Sequence, residues 1–321
     1  MPADPAVGFA EIADPYRKEL LAHCYRMLGS VHDAEDLVQE TLLRAWRGYD
    51  RFDGRSSVRT WLYRIATNAC LTELRSKHRR MLPSGLGAAT GQPGTTDLTR
   101  LESVAWISPL PTADAEAGDP AGIAALRDSA RLALIAAFQH LPARQRAALL
   151  LVEVVGYGLP EVAELLEVSY PAARSLLQRA RATLQRLAPD HDRPAVVDPD
   201  EADVMRRYLA AFENADSAAL AKLLQADAEY EMPPVALWFR GVAAIVDHHE
   251  TRVWSRPRRA VATSANGYPA VASYTGAEDG VLHLHAIQVI EVEDGLIRRI
   301  VVFLDPGLGQ SFGVPRVLEA T

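Results

Sequence analysis

Apolar residues recur at helical spacing in two stretches of this chain. In the first stretch, Tyr16–Leu28 and Ala34–Trp46 each carry apolar positions three or four residues apart, which predicts two amphipathic helices. Gly29 and Ser30 lie between them and are typical of a helix end followed by an N-cap. A third helix is predicted over residues 58–80.

The second stretch, about residues 123–187, predicts further helices that finish in a helix-turn-helix. Pro142 stands in the first turn of one helix, where its missing amide proton leaves no helical hydrogen bond unmade. A short turn then ends at Ser169, whose hydroxyl is suited to cap the last helix. The side chains that this last helix is predicted to offer to a DNA groove are Ser169, Tyr170, Arg174, Ser175, Gln178 and Arg181.

A different pattern begins near residue 198. Two helical stretches, near 200–225 and 241–254, come before segments in which apolar and polar residues alternate. Asp294 and Gly295 stand between the last two of these segments and predict a tight hairpin turn. The strands predicted from the alternation cover about 259–265, 269–275, 282–293 and 296–304.

Residues 83–124 separate the two helical stretches and are rich in Gly, Pro, Ser and Thr, which is typical of a linker. Within them, Leu101–Pro111 forms an apolar island. Such an island either packs against a neighbouring domain, which we favour, or is a chance cluster. The residues expected to make that contact are Trp106, Ile107, Pro109 and Pro111.

Length and composition limit the class of protein. A chain of 321 residues is expected to form two or three domains. No apolar run is long enough for a membrane helix, and Met1–Ala10 lacks the parts of a signal peptide, so a cytoplasmic protein is predicted. The two cysteines, Cys24 and Cys70, fall within apolar helical patterns and are expected to be buried free thiols rather than a disulfide.

The net charge of −7 is unevenly distributed. Residues 1–82 carry 13 Lys and Arg against 11 Asp and Glu, and residues 125–190 carry 8 against 6. Residues 83–124 carry 1 against 5 and residues 191–321 carry 12 against 19, so the acidity is concentrated in the middle linker and the C-terminal third. Contact with nucleic-acid phosphates is therefore expected from the first two segments and not from the last.

Basic and aromatic residues come together around the predicted 58–80 helix. At about 100° per residue, its arginines and an asparagine fall on one side, opposite an apolar side. The loop before it adds an aromatic ring and further arginines, a combination that suits unpaired bases, although a solvated charged face is the other interpretation. The side chains of this face and loop that are predicted to meet unpaired bases, the role that the family resemblance described next implies for them, are Phe52, Arg55, Arg64, Asn68, Arg75 and Arg79.

Two motifs here resemble region 2 of bacterial RNA polymerase sigma factors. Asp33–Trp46 (DAEDLVQETLLRAW) is similar to the helix with which that region binds core polymerase. Thr60–Asn68 (TWLYRIATN) is similar to the segment that melts and reads the −10 element, and Trp61 within it is either a base-stacking or a core residue. The residues that the resemblance turns towards the clamp helices of the polymerase β′ subunit are Asp33, Glu35, Asp36, Gln39 and Glu40.

Ser169–Arg181 is similar to the recognition helix of sigma region 4, which reads the −35 element. Residues from about 198 onwards resemble the SnoaL-like branch of the NTF2-like fold, a curved sheet that forms a cone with helices around a pocket. Nothing resembles the larger region 1 or region 3 domains of housekeeping sigma factors. The chain therefore resembles the extracytoplasmic-function group, and within it the sigma J and sigma G type. Ile107, Ser108 and Leu110 depart from the Trp-Leu-Pro-Glu-Pro-like linker motif of that type.

The expected fold is multidomain. An all-α region 2 domain (10–82) is followed by the linker (83–124), an all-α helix-turn-helix region 4 domain (125–190) and an α+β SnoaL-like cone (198–321).

The C-terminal domain offers a candidate pocket, lined by Glu231, Trp238, His248, His283 and His285. The last two share one face of a predicted strand. Acid–base catalysis, sensing of a small ligand and regulation by intramolecular contact remain open. Because such folds host many functions, the fold alone is a weak argument for catalysis, and we favour regulation by contact. The sequence places no third ligand beside the histidine pair, so neither a metal nor a cofactor is expected.

The hypothesis is a non-enzymatic sigma factor that binds the β and β′ subunits of core polymerase and directs it to promoter DNA. Its C-terminal domain is expected to contact the linker and the sigma domains and to modulate activity without a separate anti-sigma factor. A helix-turn-helix repressor with a ligand-sensing domain is the competing class, but it leaves the acidic 33–40 cluster and the aromatic and basic 49–64 segment without a role. An enzyme with a vestigial DNA-binding part is a third class.

Overall fold

The computed structural model describes residues 5–76, 79–90, 98–112, 131–188, 198–276 and 280–319. These residues form two compact units. Unit 1 combines the described residues of 1–80 with those of 133–193, and unit 2 combines those of 81–132 with those of 194–321.

The first half of unit 1 is helical. Gly29 adopts a φ of +73° and ends one helix, and the Ser30 hydroxyl accepts the Asp33 amide (3.3 Å) at the start of the next. Cys24 and Cys70 are buried between two of the helices as free thiols. The helices are α1 (Pro5–Ala13), α2 (Arg17–Leu28), α3 (Val31–Gly48) and α4 (Val58–Glu73).

Helix α4 ends seven residues before the predicted position at residue 80. The amides of Arg75 and Ser76 donate to carbonyls three residues back, both at 3.2 Å, and the Ser76 hydroxyl also donates to the Glu73 carbonyl (3.1 Å). A serine that bonds locally in this way competes with the helical pattern. The prediction that Arg75 and Arg79 share a helix face with Arg64 and Asn68 is therefore wrong.

The second half of unit 1 contains the predicted helix-turn-helix. Glu167 has a φ of +52° in the turn, and the Ser169 hydroxyl accepts the Ala172 amide (3.4 Å) at the start of the last helix. The helices are α5 (Leu132–Gln139), α6 (Ala143–Glu153), α7 (Leu159–Leu165) and α8 (Tyr170–Leu187).

A buried arginine joins the two halves of unit 1. Arg146 of α6 donates to Gln139 Oε1 (2.8 Å), to the Leu141 carbonyl (3.2 Å) and to the carbonyl of Met27 in the last turn of α2. The negative end of the α2 dipole favours a cation at this place. Burial lowers the pKa of Arg146 to about 10, so the guanidinium stays charged at neutral pH.

Unit 2 is an α+β fold around one mixed sheet. In the part of the chain that the structure describes, the strand order is β2-β1-β6-β5-β4-β3, with β7 beside β5, and the β1–β6 pair is parallel. The strands are β1 (Leu224–Glu231), β2 (Trp238–Arg240), β3 (Arg258–Ala265), β4 (Tyr268–Gly276), β5 (Val281–Glu293), β6 (Leu296–Phe303) and β7 (Val317–Glu319). The helices are α9 (Glu201–Asn214), α10 (Ser217–Leu223), α11 (Val242–His248) and α12 (Leu308–Ser311).

Two hairpins of the sheet use the same turn geometry. Asp294 and Gly295 have φ values of +54° and +70° between β5 and β6, where the sequence predicts the turn. Asn266 and Gly267 repeat this geometry between β3 and β4, with φ values of +55° and +77°. Two successive left-handed residues match the twist of the strands that they join.

Both faces of the sheet are covered. On one face, Tyr208 and Phe212 of α9 belong to the same buried cluster as Ile290 and Ile300 of the sheet. The other face carries Glu231, Val301 and Val289, which lie in one row across β1, β6 and β5 and are buried as well.

Residues 81–90 and 98–112, here called the strap, belong to this second face and its edges. At the β2 edge, the Trp238 indole donates to the Gly87 carbonyl (2.8 Å) and the Thr90 amide donates to the Trp238 carbonyl (2.8 Å). At the β3 edge, the Thr112 amide donates to the Ser264 carbonyl (3.1 Å). The strap therefore runs from one edge of the sheet to the other, about 24 Å at about 4.8 Å per strand.

The apolar island predicted in the linker lies within the strap. Ile107, Pro109 and Leu110 are buried, whereas Trp106 and Pro111 are half-buried. The Trp106 indole donates to the Leu101 carbonyl (2.9 Å), which folds the island back on itself.

Asn266→Ala tests how the strap is held at the β3 edge. The Asn266 side chain accepts the Leu110 amide (2.9 Å) and its backbone amide donates to the Leu110 carbonyl (2.8 Å). Loss of the side-chain acceptor should destabilise this edge by about 1–3 kcal/mol, seen as faster exchange of the Leu110 amide proton. Asn266→Gly loses the same acceptor but tolerates the positive φ, so it should cost less than alanine. Unchanged exchange in both variants would show that the strap is held elsewhere.

Candidate nucleic-acid interface

A groove of about 700 Å³ opens on the surface of unit 1. Four of the six side chains predicted to meet unpaired bases line it. Its lining residues are Arg44, Gly48, Arg51, Phe52, Asp53, Arg55, Ser56, Trp61, Arg64, Ile65, Asn68 and Glu164.

An aromatic pair forms one wall of this groove. Phe52 and Trp61 stack with ring centroids 4.8 Å apart and an angle of 29° between the rings. Trp61 is half-buried, so it both packs and lines the groove, and the choice between a base-stacking and a core role stays a prediction. A flat aromatic wall of this kind is the surface on which an unpaired base stacks.

Cationic and amide groups stand beside the aromatic wall. Arg64 and Asn68 are one helical turn apart on α4, and the Arg64 Nε is buried without a hydrogen-bond partner. Arg44 and Arg55 form solvent-accessible ion pairs, at 2.6 Å with Glu40 and at 2.7 Å with Asp53. Exposed ion pairs of this type are worth little and can exchange for phosphate.

Arg75 and Arg79 do not line the groove. Arg75 is exposed beyond the end of α4, and an Nη of Arg79 donates to His140 Nδ1 (3.0 Å). The structure thus divides the six predicted residues into a groove set of four and an outlying pair.

The polar face of α3 carries the side chains predicted to bind the polymerase. Asp36 and Gln39 are exposed, whereas Glu35 and Glu40 are half-buried. Asp33 forms an ion pair with Arg80 and lies mostly out of solvent.

The same face of α3 also exposes two apolar side chains, Leu43 and Trp46. The apolar spacing of the sequence places Trp46 on the buried side of the helix and does not single out Leu43. Leu43 is 52% exposed and Trp46 is 49% exposed. Both follow Gln39 at intervals of three or four residues, so they extend its stripe along the helix. That spacing is the signal in the sequence that could have revealed them. Acidic and apolar groups in one stripe fit a partner helix that is basic and partly apolar.

Helix α8 presents the predicted recognition surface. Ala173, Leu177, Ala180 and Leu184 are buried, so the opposite side faces solvent. Arg181 is held by Glu153, whose Oε1 accepts from the Arg181 Nε (2.9 Å). Ser169 serves as the N-cap. The predicted residues that stay exposed without such a role are Tyr170, Arg174, Ser175 and Gln178.

The helix-turn-helix half of unit 1 also reaches the surface of the other half. Arg59 bonds to both carboxylate oxygens of Glu19 (3.1 and 3.0 Å) and lies 5.0 Å from the Tyr63 ring and 5.4 Å from the Tyr157 ring. The hydrogen bond with Glu19 raises the pKa of Arg59. Glu164 of α7 lines the groove itself.

The candidate pocket of unit 2 is not assembled as predicted. Glu231 and Trp238 pair across β1 and β2 on the strap face, whereas His248 contacts Tyr230, which points to the helix face. Neighbouring residues of a strand point to opposite faces, so Glu231 and His248 cannot share a pocket. His283 and His285 are exposed on β5.

The charge of Glu231 is satisfied inside the unit. Arg299 of β6 forms an ion pair with it, and the backbone amide of Ser84 donates to its second oxygen (2.8 Å). Burial alone lowers the pKa of Arg299, but the carboxylates of Glu231, Glu291 and Glu229 outweigh burial and raise it. The group is therefore a structural ion pair beneath the strap.

His248 and His249 form a second buried group with Tyr230 and Trp254. The Tyr230 ring lies 5.3 Å from His248 and 5.2 Å from His249, and the His249 ring lies 5.3 Å from Trp254. His249 Nδ1 donates to the Ile245 carbonyl (2.8 Å). Burial lowers the pKa of His248 to about 3 and of His249 to about 4.

Within the described ranges, no cluster of three or more His, Cys, Asp or Glu side chains is arranged to hold a metal ion. A membrane-crossing helix, long and apolar enough, is likewise not found among those residues.

Comparisons with known proteins match the three parts of the chain to three family descriptions. Residues 12–80 match Sigma-70 region 2, residues 131–184 match Sigma-70, region 4, and residues 205–300 match the SnoaL-like domain.

Individual relatives extend this similarity over the whole chain. It is 47% identical over 321 residues to the ECF RNA polymerase sigma factor SigG of Mycobacterium tuberculosis, a match that covers 98% of this chain and 86% of SigG. It is 31% identical over 219 residues to SigJ of the same organism, which covers 67% of this chain and 61% of SigJ. The crystal structure of SigJ has the same fold, with a TM-score of 0.57 at 24% identity over 94% of this chain and 98% of that chain.

The buried histidines of unit 2 make its stability depend on pH. In the unfolded chain each titrates near 6.5, so below that pH the unfolded state binds more protons than the folded state. Stability should therefore fall as the pH drops from about 6.5, by about 1.4 kcal/mol per pH unit for each histidine, until the folded pKa is reached.

His249→Phe should remove about half of this acid sensitivity. The measurement is chemical denaturation of the full chain at pH 7 and pH 5, with amide exchange in β1 as the report on unit 2. His283→Gln, at an exposed position, is the control and should behave as the parent. Equal acid sensitivity of parent and His249→Phe would contradict the buried neutral state of His249.

Proposed function

The chain belongs to the extracytoplasmic-function RNA polymerase sigma factors, and from this premise we propose how its surfaces divide the work of promoter recognition. A sigma factor binds core RNA polymerase and directs transcription initiation at specific promoters. The observation that carries the proposal is the groove of unit 1, where an aromatic wall lies beside cationic and amide groups.

The groove captures unpaired bases of the −10 element. A base leaves the DNA stack at a cost of a few kcal/mol, which stacking on Phe52 and Trp61 offsets. Arg64 and Asn68 supply donors for base edges or phosphates from the neighbouring turn of α4. Arg55 contributes from the loop at the rim of the groove, and Arg75 and Arg79 contact the strand outside it.

Helix α8 enters the major groove of the −35 element. Its exposed side chains include a guanidinium, an amide and a hydroxyl, the groups that read base edges. Tyr170 and Arg174 lie in its first two turns, where a recognition helix contacts bases. Arg181 donates to Glu153 in the described structure. We assign it to a DNA phosphate, which would replace the Glu153 carboxylate as its partner.

The stripe on α3 binds core polymerase. Asp36, Gln39 and Glu40 supply acidic and polar contacts to the clamp helices of the β′ subunit, and Leu43 and Trp46 supply the apolar contacts. Large exposed apolar side chains that form a patch mark interaction sites, and Leu43 and Trp46 form such a patch on α3. The β subunit is the expected partner of the helix-turn-helix half, and the complex works in the cytoplasm.

The C-terminal domain modulates activity by contact and not by catalysis. Its candidate catalytic groups are divided between two faces of the sheet, and the strap covers one of them. The strap is also part of the only covalent connection between the −10 and −35 modules. Between Gly87 and Thr112 an extended chain reaches about 85 Å, but when pinned across the sheet it spans about 24 Å.

Holding or releasing the strap thus sets how far the two modules can separate. This supports regulation within one chain, without a separate anti-sigma factor. A repressor that binds duplex DNA alone is not favoured, because the α3 stripe and the single-strand groove have no role in it.

In vitro transcription tests the assignment directly. Purified core polymerase is supplied with promoter DNA from the source genome, with and without the full chain. Specific start sites that require the chain and share −35 and −10 elements are expected. Specific binding to duplex DNA without any transcripts would favour the repressor instead.

Arg174→Ala should weaken binding to the −35 element by about 1–3 kcal/mol, because a base contact would be lost. The measurement is the affinity of the polymerase holoenzyme for promoter DNA with the native and with a scrambled −35 element. Arg186→Ala, at an exposed position in the last turn of α8, is the matched control. An equal loss on both DNAs would make Arg174 a phosphate contact.

Leu110→Asp should release the strap, because it places a charge at a buried position. Transcription should change in the same direction as on deletion of residues 199–321, whereas Glu102→Ala, at an exposed strap position, should have no effect. A change on deletion without any change in Leu110→Asp would show that the domain acts through another contact.

A further inference from the structure

Most of helix α1, including Phe9, lies before the residues that match sigma region 2, yet the helix is connected to the base-stacking wall. The match begins at residue 12, and α1 begins at Pro5. Phe9 of α1 is only 6% exposed, and its ring meets the Tyr49 ring edge-on, with centroids 5.5 Å apart and an angle of 64° between them.

The contact continues from Tyr49 into the groove. The Tyr49 ring lies 6.5 Å from Trp61, and Trp61 stacks on Phe52 at 4.8 Å. These four rings, Phe9, Tyr49, Trp61 and Phe52, are here called the aromatic ladder. Its last two rings line the groove, and its first two do not.

The ladder matters because the other contacts described for the loop that carries Phe52 are local hydrogen bonds and ion pairs. Tyr49 opens a single 3₁₀ turn, and the Phe52 amide bonds to the Tyr49 carbonyl (3.0 Å). The next residues are exposed, and Gly54 adopts a φ of +69°. The backbone of Phe52 is therefore held by Tyr49 and its ring by Trp61, and the Tyr49 ring lies between those of Phe9 and Trp61.

We propose that Phe9 is a positioning residue for base capture, which holds Tyr49 so that Trp61 and Phe52 present a fixed stacking wall. This inference rests on the proposed function of the groove. It assigns to α1 a part in promoter opening that does not require α1 to touch DNA or polymerase. A wall fixed before binding loses less conformational entropy when a base stacks on it.

The test uses holoenzyme reconstituted with the full-length chain and a promoter fork whose −10 strand is unpaired and carries 2-aminopurine. Stacking on an aromatic ring quenches the fluorescence of this base analogue. Phe9→Ala is expected to reduce the quenching and to weaken fork binding about 2- to 12-fold, the loss of one aromatic pair worth about 0.5–1.5 kcal/mol. Affinity for core polymerase and for duplex −35 DNA should not change.

Two controls separate positioning from folding. Glu11→Ala changes an exposed residue of the same helix and should leave quenching intact. Phe9→Leu keeps most of the buried volume but removes the ring, so it should retain the melting temperature of the parent and still lose quenching.

A double-mutant cycle then locates the effect. If Phe9 acts through Tyr49, Phe9→Ala should add nothing to Tyr49→Ala. Additive losses would overturn the proposal, as would normal quenching in Phe9→Ala while Phe52→Ala loses it. Normal quenching in both variants would overturn the groove assignment itself, and the role of Phe9 with it.

Discussion

Glu231 carries a carboxylate into a covered face of the sheet, and the surroundings of that charge determine how unit 2 is built. Arg299 supplies a guanidinium from the next strand, and the Ser84 amide supplies the remaining donor. A hydrogen bond to a charged group is worth about 1.5–3 kcal/mol, so the strap cannot give up the contact between Ser84 and Glu231 without a penalty. Apolar burial of Ile107 and Leu110 adds to this electrostatic hold.

This constraint gives one segment two roles. The strap completes the sheet of the C-terminal unit, and it is also the covalent connection between the modules proposed to read the −10 and −35 elements. A structural contact within one unit thereby limits the reach of the connection between those modules. In this view the C-terminal domain needs no active site to influence transcription, only a stable grip on the strap.

Unit 1 meets a different requirement, because its helices must pack and display functional groups at once. Helix α4 buries Leu62, Ala66 and Cys70 and turns Arg64 and Asn68 to the groove. Helix α3 buries its apolar side but leaves Leu43 and Trp46 in solvent. Exposed apolar side chains and a buried guanidinium nitrogen without a hydrogen-bond partner both lower the stability of the protein on its own. Binding of polymerase would cover the apolar side chains, and binding of DNA would give the Arg64 guanidinium a partner.

Local signals in the sequence were sufficient for α2, α3 and the helix-turn-helix, for the caps at Ser30 and Ser169 and for the Asp294–Gly295 turn, since caps and turns depend on neighbouring residues. The resemblance of two motifs was sufficient for the family. The end of α4 escaped prediction because the Ser76 hydroxyl outcompetes the helical pattern, which spacing alone does not reveal. The strap, the division of the candidate pocket between two faces and the aromatic ladder were decided only by tertiary structure. Each depends on contacts between residues far apart in the chain, such as Ser84 with Glu231, 147 positions away, and no local pattern encodes which distant partner a buried group will find.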